Sequence, residues 1–279
     1  MKVLVFGKTG QVAQALGRYD GVELLGRDGA DLANPARCAE VVQRCDADVV
    51  INAAAYTAVD KAESEPDLAT TINATAPTAM AQAAGARGLG FLHISTDYVF
   101  DGQGQKARQE QAATGPLNVY GKSKLAGEQG VMAANGQAMI LRTSWVFSAQ
   151  GQNFVKTMLR LGLARAELGI VSDQIGGPTS AGSIAAALMK MAKAGGAGGV
   201  YHFSGAPETG WDGFAREIFR QAKMEVAVQG IPSADYPTPA QRPLYAVLDC
   251  SKIKQEFGIS APDWRADLSD VLRELEALK

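Results

Sequence analysis

The stretch "KVLVFGKTGQVAQAL" near the start of the chain limits the possible folds more than any other. A short apolar run enters Gly7, Lys8, Thr9, Gly10, Gln11, Val12 and Ala13, and a helix-forming segment follows without a break. Glycine at the first two of these places permits a tight turn and lets backbone N–H groups approach a pyrophosphate, while the helix N-terminus adds partial positive charge. Strand before and helix after is the context in which such a glycine pattern binds a dinucleotide. Gly7, Lys8, Thr9, Gly10, Gln11 and Val12 are therefore assigned to a cofactor. The spacing is G-x-x-G-x-x-A rather than G-x-G-x-x-G, and Ala13 in the last place is expected to loosen or shift helix–strand packing.

The rest of the chain repeats the same rhythm. "KVLVFG", "VELLG", "DVVIN", "GFLHIS" and "MILRTSW" are nearly continuous apolar runs, and Ala-rich helical stretches lie between them. Runs apolar on both faces predict strands covered on both sides. Their alternation with helices predicts an α/β chain, a Rossmann-type doubly wound parallel sheet, with a smaller α/β substrate domain. Residues 1–150 read as the dinucleotide-binding domain, joined by about 168–195, and 151–279 as a discontinuous substrate domain holding the strand "VYHFSG" and the loop "IPSADYPTPAQRP".

Composition excludes several classes. With 47% hydrophobic and 20% charged residues the chain is globular, and a net charge of -2 leaves no footprint for nucleic acid or an anionic membrane. No apolar run of about 20 residues exists to span a bilayer. "MKVLVFGKTG" enters a strand at once, so no secretory signal is expected, and the three cysteines, Cys38, Cys45 and Cys250, fit a reducing, cytoplasmic setting. Cys38 and Cys45 are expected to share one packed helix face.

Cofactor choice follows from the second strand. NAD enzymes commonly end it with an acidic residue on the ribose 2′-hydroxyl. Here it ends "LLGRDGADL", where Arg27, with Lys8 on the same side, can meet a 2′-phosphate. NADPH is expected, with NADH possible, and Arg27, Asp31 and Leu32 are assigned to it. The third strand ends "NAAAYTAVDKAE", and its small residues Ala53, Ala54 and Ala55 let a cofactor lie against the backbone. Asn73 reads as a residue that ties elements together.

Ligands of parallel sheets sit beyond the carboxyl ends of the strands. Thr96 closes the fourth strand, and "NVYGKSK" begins a helix in which Tyr120 and Lys124 share a face. A tyrosine of pKa about 10 is a poor acid at neutral pH, and a nearby ammonium lowers that value. Thr96 would donate a hydrogen bond to a substrate carbonyl, Tyr120 would supply the proton, and Lys124 would tune Tyr120 and hold the ribose. His93 and His202 sit singly inside strands and read as satisfied core residues. No histidine or carboxylate cluster offers a metal site.

"GKTGQV", "NAAAYTAVDKAE", "STDYVFDG", "YGKSKLAGE", "LRTSWVF", "DQIGGPTS" and "QRPLYAVLD" stand in order from residue 7 to about 250. Together they resemble the dTDP-4-dehydrorhamnose reductases, extended short-chain dehydrogenases/reductases. The resemblance implies NAD(P)H-dependent reduction of the C4 keto group of dTDP-4-dehydro-L-rhamnose to dTDP-L-rhamnose, with the family's Thr-Tyr-Lys trio at Thr96, Tyr120 and Lys124. It implies that Asp97, Tyr98 and Trp145 line the sugar pocket and that Asn153 and Phe154 hold the nucleotide. Gln174 and Arg242 are placed near the diphosphate, and Arg142 is left to loop carbonyls. Some members bind Mg²⁺ through a first-helix glutamate; Ala15 stands there, so no metal is expected, and the chain is expected as a monomer or weak homodimer. The alternatives are another nucleotide-sugar 4-ketoreductase, a 4-epimerase, or a non-catalytic NADP-binding regulatory subunit.

Overall fold

All four side chains of the first strand, Val3–Phe6, are buried, although neighbouring side chains in a strand point to opposite faces. Val3 and Val5 enter one apolar core while Leu4 and Phe6 enter another. Such a strand is stable only with layers packed on both sides. The computed structural model, which describes residues 1–277, supplies them.

The chain runs β1 (Val3–Phe6), α1 (Gln11–Leu16), β2 (Val22–Leu25), α2 (Pro35–Arg44) and β3 (Val49–Asn52). Two short helices, α3 (Val59–Ala62) and α4 (Pro66–Thr70), lead through a π-helical turn at Thr71–Thr75 into α5 (Ala76–Ala86). Next come β4 (Gly90–Thr96), α6 (Val119–Ala134) and β5 (Met139–Thr143). The second half holds β6 (Val146–Phe147), α7 (Phe154–Gly162), β7 (Glu167–Val171), β8 (Ile175–Gly176) and β9 (Thr179–Ser180). It continues with α8 (Ala181–Ala194), β10 (Gly199–His202), β11 (Thr209–Gly210), α9 (Trp211–Gln221), β12 (Ala227–Ile231), α10 (Ser251–Phe257) and α11 (Trp264–Ala277).

Six strands form a parallel sheet in the order β10-β5-β4-β3-β1-β2. One face is covered by α1 and α8 through Val12, Leu16, Ile184, Leu188 and Met191, the other by α2 and α5 through Cys38, Val42, Met80 and Ala84. Each such side chain, fully buried, contributes roughly 1.5–3 kcal/mol if it is as large as leucine. The chain moves outward from β1 to β2 and then returns to place β3 on the opposite side of β1. This reversal opens a crevice beyond the strand ends, where α/β sheets bind ligands.

A third core, built from Phe147, Val155, Leu168, Ile170, Phe214, Ile218, Trp264 and Leu268, belongs to the smaller part. Of the stretch 168–195, α8 packs on the main sheet, whereas β7 pairs with β12 in a separate two-stranded ribbon. "VYHFSG", read as part of the substrate domain, supplies β10, the edge strand of the main sheet beside β5. Ala13 is wholly buried, the first-helix position that was expected to disturb packing. The three thiols are unpaired, and burial pushes Cys38 up to about 11.

One polar cluster crosses the core. Glu128 on α6 accepts from Arg142 Nε at 2.9 Å and Nη2 at 2.6 Å, and both side chains are only 4% exposed. Arg142 also reaches Glu110 O at 3.4 Å, but its main partner is this carboxylate rather than the loop carbonyls expected from sequence. Removing one member leaves an uncompensated buried charge. Glu128→Leu is expected to cost about 3–5 kcal/mol in urea unfolding, and Glu128→Leu with Arg142→Met markedly less. A loss in the double variant equal to the sum of the Glu128→Leu and Arg142→Met losses would show that the pair is not coupled.

Candidate active site

At the switch point the backbone must leave room. Gly7 follows β1 with φ of +122°, a conformation other residues rarely adopt, and a Cβ there would lie 3.3 Å from Ala13 Cβ and 3.4 Å from the Ala53 carbonyl carbon. Gly10 opens α1 with free space around it and no side-chain cap on the helix. Two adjoining cavities meet here. One of about 600 Å³ is lined by Gly7, Lys8, Arg27, Asp31 and Leu32 together with Thr9, Gly10 and Ala53–Ala55. The other, about 520 Å³, shares Thr9, Gly10 and Ala53–Ala55 and adds Gln11, Val12, Thr96, Tyr120 and Lys124. Every residue assigned to the cofactor from sequence therefore lines one continuous cleft. A larger cavity of about 1010 Å³ lies along residues 103–112, and no candidate residue lines it.

Local sequence aims the reactive groups. Asn118 caps α6 by accepting from Gly121 N at 2.8 Å and donates to Gln241 O at 2.7 Å, fixing the helix start that carries Tyr120. Gly121 allows α6 to approach the 96–98 turn, because a Cβ would lie 2.3 Å from Tyr98 O. The Tyr120 ring packs edge-on to Tyr98 at 5.5 Å. Thr96 donates from its hydroxyl to Asp97 Oδ1 at 2.9 Å and accepts from Tyr98 N at 3.2 Å. Asn73, buried in the π-helical turn, bonds both backbone groups of Tyr56 and the Ser123 hydroxyl, tying the chain after β3 to α6.

The electrostatics depart from expectation in one respect. Lys124 was expected to depress Tyr120, but burial dominates and pushes the phenol up to about 12, with the Thr96 hydroxyl favouring the phenolate and Asp97 opposing it. The Lys124 amine is directed elsewhere, to Ile94 O at 2.6 Å and His93 Nε2 at 3.2 Å. Burial brings Lys124 down to about 8, with Glu128 acting the other way. Burial also raises Asp97 to about 7, against the hydrogen bond from Thr96. Free energy here favours uncharged forms.

The other candidates divide. Asp97, Tyr98, Trp145 and Phe154 line the same cleft. Trp145 has φ of 46°, unusual for a bulky residue, and its indole stacks on Trp211 at 3.5 Å with an 8° interplanar angle, while Phe154 sits 4.6 Å from Trp211. The Asn153 side chain is occupied by Gln11, Ser148 and the capping of α7. Gln174 donates to Ser233 Oγ at 2.9 Å and does not line the cleft. Arg242 makes a two-pronged pair with Asp60 at 3.0 and 2.8 Å, beside a separate cavity. Arg27 lies 3.8 Å from Asp31 and is largely exposed. Ala15 lines a small cavity with Arg18, Asp267 and Glu274. Sequence reasoning missed Trp211, Gln152, Ser95 and Thr143 in the cleft, and it gave His93 no link to Lys124. Only the position of His93, three residues before Thr96 on β4, could have signalled that link.

Three buried polar atoms in the cleft have no partner: Ser95 Oγ, Asp97 Oδ2 and Thr143 Oγ1. Buried polar groups are normally satisfied, so orphans gathered in one cleft mark a place where ligand atoms belong. With the open glycine turn and the flanking cations Lys8 and Arg27, the residues present fit a phosphorylated dinucleotide and a polar substrate side by side.

Comparison with known proteins finds matches over nearly the whole length of the chain. The family model described as the RmlD substrate binding domain matches residues 1–277. A dTDP-4-dehydrorhamnose reductase of Sinorhizobium fredii is 44% identical, with 95% of this chain and 94% of that protein covered. The solved structure of a dTDP-4-dehydrorhamnose reductase from Clostridium acetobutylicum superposes with a TM-score of 0.94 at 36% identity, covering 99% of this chain and 100% of that one. One from Bacillus anthracis, in complex with NADP, gives 0.93 at 35% identity, covering 98% and 100%.

Asp97 links this site to stability. Its carboxyl is raised from 3.8 to about 7 in the folded chain, so it favours folding fully below the unfolded value and loses that contribution as pH rises through about 7. Asp97→Asn cannot ionise. Relative to the parent, the variant is expected to gain stability between pH about 4 and 7 and to keep a constant advantage above that. A pH-independent difference in urea unfolding would rule out a neutral Asp97.

Proposed function

The chain belongs to the dTDP-4-dehydrorhamnose reductase family, and from that premise we propose that it reduces the C4 keto group of dTDP-4-dehydro-L-rhamnose with Thr96, Tyr120 and Lys124 as its catalytic set. The observation that carries this reading is the meeting of these three side chains with orphaned polar atoms in one cleft at the sheet's switch point. NADPH, when bound, supplies the hydride. Lys8 and Arg27 flank the far cavity and suit its 2′-phosphate, while Ala53–Ala55 keep the cleft floor flat.

Thr96 turns its hydroxyl from Asp97 to the substrate carbonyl oxygen and stabilises the charge that develops there. Tyr120 then donates its proton to that oxygen. A phenol held near 12 keeps its proton at neutral pH, and a sugar alkoxide is basic enough to take it, so the upward shift suits reduction. Lys124 offers its amine to the ribose hydroxyls and favours the phenolate left behind. Trp145, Trp211 and Phe154 form an apolar wall beside the reacting centre that helps exclude water.

The test is loss of NADPH absorbance with dTDP-4-dehydro-L-rhamnose and the purified protein. Tyr120→Phe is expected to lower kcat by about 10²–10⁴-fold while leaving NADPH affinity nearly unchanged. Turnover that survives the substitution would remove Tyr120 as donor. Arg27→Ala is expected to weaken NADPH by about tenfold, some 1.4 kcal/mol, with little effect on NADH. Parallel losses for both cofactors would show that Arg27 does not read the 2′-phosphate.

A further inference from the structure

Outside the proposed catalytic set, one buried side chain stands against the Lys124 amine and a second stands behind that one. His93, wholly buried in β4, places Nε2 3.2 Å from Lys124 Nζ, and its Nδ1 lies 3.0 Å from Asn52 Nδ2 at the end of β3. Asn52 is also wholly buried, and its Oδ1 accepts from Ala54 N at 3.2 Å. Turning the amide over would set its NH₂ against the Ala54 N–H, so the Ala54 bond gives the chain of contacts a direction. Asn52 donates to Nδ1; a neutral imidazole then carries its single hydrogen on Nε2, pointing at Lys124. Burial, and secondarily the Lys124 charge, hold His93 well below the ordinary imidazole range, so the ring stays neutral. An amine can accept the Nε2–H, whereas an ammonium has three donors and no acceptor. Ile94 O takes a hydrogen from Nζ at 2.6 Å in either state.

We propose that Asn52 and His93 are positioning residues for Lys124, holding its amine against Ile94 and presenting an N–H where an ammonium needs an acceptor, so that Lys124 gives up a proton readily. The inference rests on the reading of Lys124 as part of the catalytic set. After Tyr120 has protonated the sugar oxygen, an N–H bond of Lys124 breaks. Its proton passes through an intervening hydroxyl or water to re-form the Tyr120 O–H, since the amine itself bonds Ile94 and His93. The neutral amine accepts from His93 until solvent returns a proton. The other groups around Lys124 are Tyr120 and Glu128 on α6, Asp97 beyond β4, and Arg142 on β5, which engages Glu128. Glu128 favours the ammonium, so the Asn52–His93 pair opposes an existing attraction.

The decisive measurement is NMR of the cofactor-free protein with isotope-labelled lysine and histidine. The chain has two histidines, so a His202→Gln variant assigns the ring signals. The parent is expected to carry the His93 ring hydrogen on Nε2 at and above the Lys124 midpoint; a hydrogen on Nδ1 at every pH overturns the proposal without any variant. His93→Leu is expected to raise the Lys124 midpoint by about one unit, because an opposing N–H is lost. A fall would mean that the ring had been accepting from the ammonium, and would also overturn it. Asn52→Asp keeps an acceptor for Ala54 and reverses the ring, and it is expected to raise the midpoint further. In turnover assays the alkaline limb of kcat is expected to move with the midpoint while KM for the sugar holds. If the midpoint moves and the limb does not, the positioning stands and the catalytic reading of Lys124 fails.

Discussion

Because all six strands of the main sheet point the same way, their last peptides gather along one edge. Everything chemical in this chain depends on that. Gly7 after β1, Asn52 and the alanines after β3, Thr96 ending β4 and Thr143 ending β5 meet there although long stretches of chain separate them. A helix begun at Asn118 needs only to pack across β4 to bring Tyr120 and Lys124 to the same edge. The turns that line the cleft start from fixed points, because the strand ends are held by hydrogen bonds between neighbours.

Several reactive groups of a site placed in this way lie below its surface, and that burial governs their character. Burial is the largest influence on all four groups, moving Tyr120 and Asp97 up and Lys124 and His93 down, towards uncharged forms. Such groups are poorly solvated before ligand arrives, and three hydroxyl or carboxyl oxygens lack partners altogether. This is a cost to folding, of about 1–3 kcal/mol for each unsatisfied group, and the apolar layers on both faces of the sheet offset it. The left-handed backbone of Trp145 adds strain at the same place. Stability is thus given up where ligand will later supply the missing contacts.

Much of this was legible in the chain itself. The main strands show as apolar runs because burial on both faces demands it, and the cofactor turn shows because backbone approach demands glycine. Tyr120 and Lys124 are visible through helical spacing. What sequence conceals are contacts set by packing. Arg142, which ends a strand beside a loop, finds Glu128 fourteen residues away in the chain. Arg242 and Asn153, polar and well placed in order, are held by Asp60 and Gln11. Trp211 joins Trp145 from a distant helix. The direction of the Tyr120 shift also depends on solvent access, which spacing does not encode.

The edge strand β10 has one more consequence. It closes the main sheet from residues 199–202, after the chain has already visited the smaller part, and α8 likewise comes back to cover α1. On a ribosome, the first 150 residues therefore emerge as an unfinished sheet. β5 is left with an unpaired side, and the α1 face is open to water until some fifty more residues have been made. Unpaired strand edges of this kind invite association with other chains. Interleaving the two parts gives a cleft whose walls share one polypeptide path, at the expense of a half-made intermediate that a nascent-chain chaperone is suited to shield.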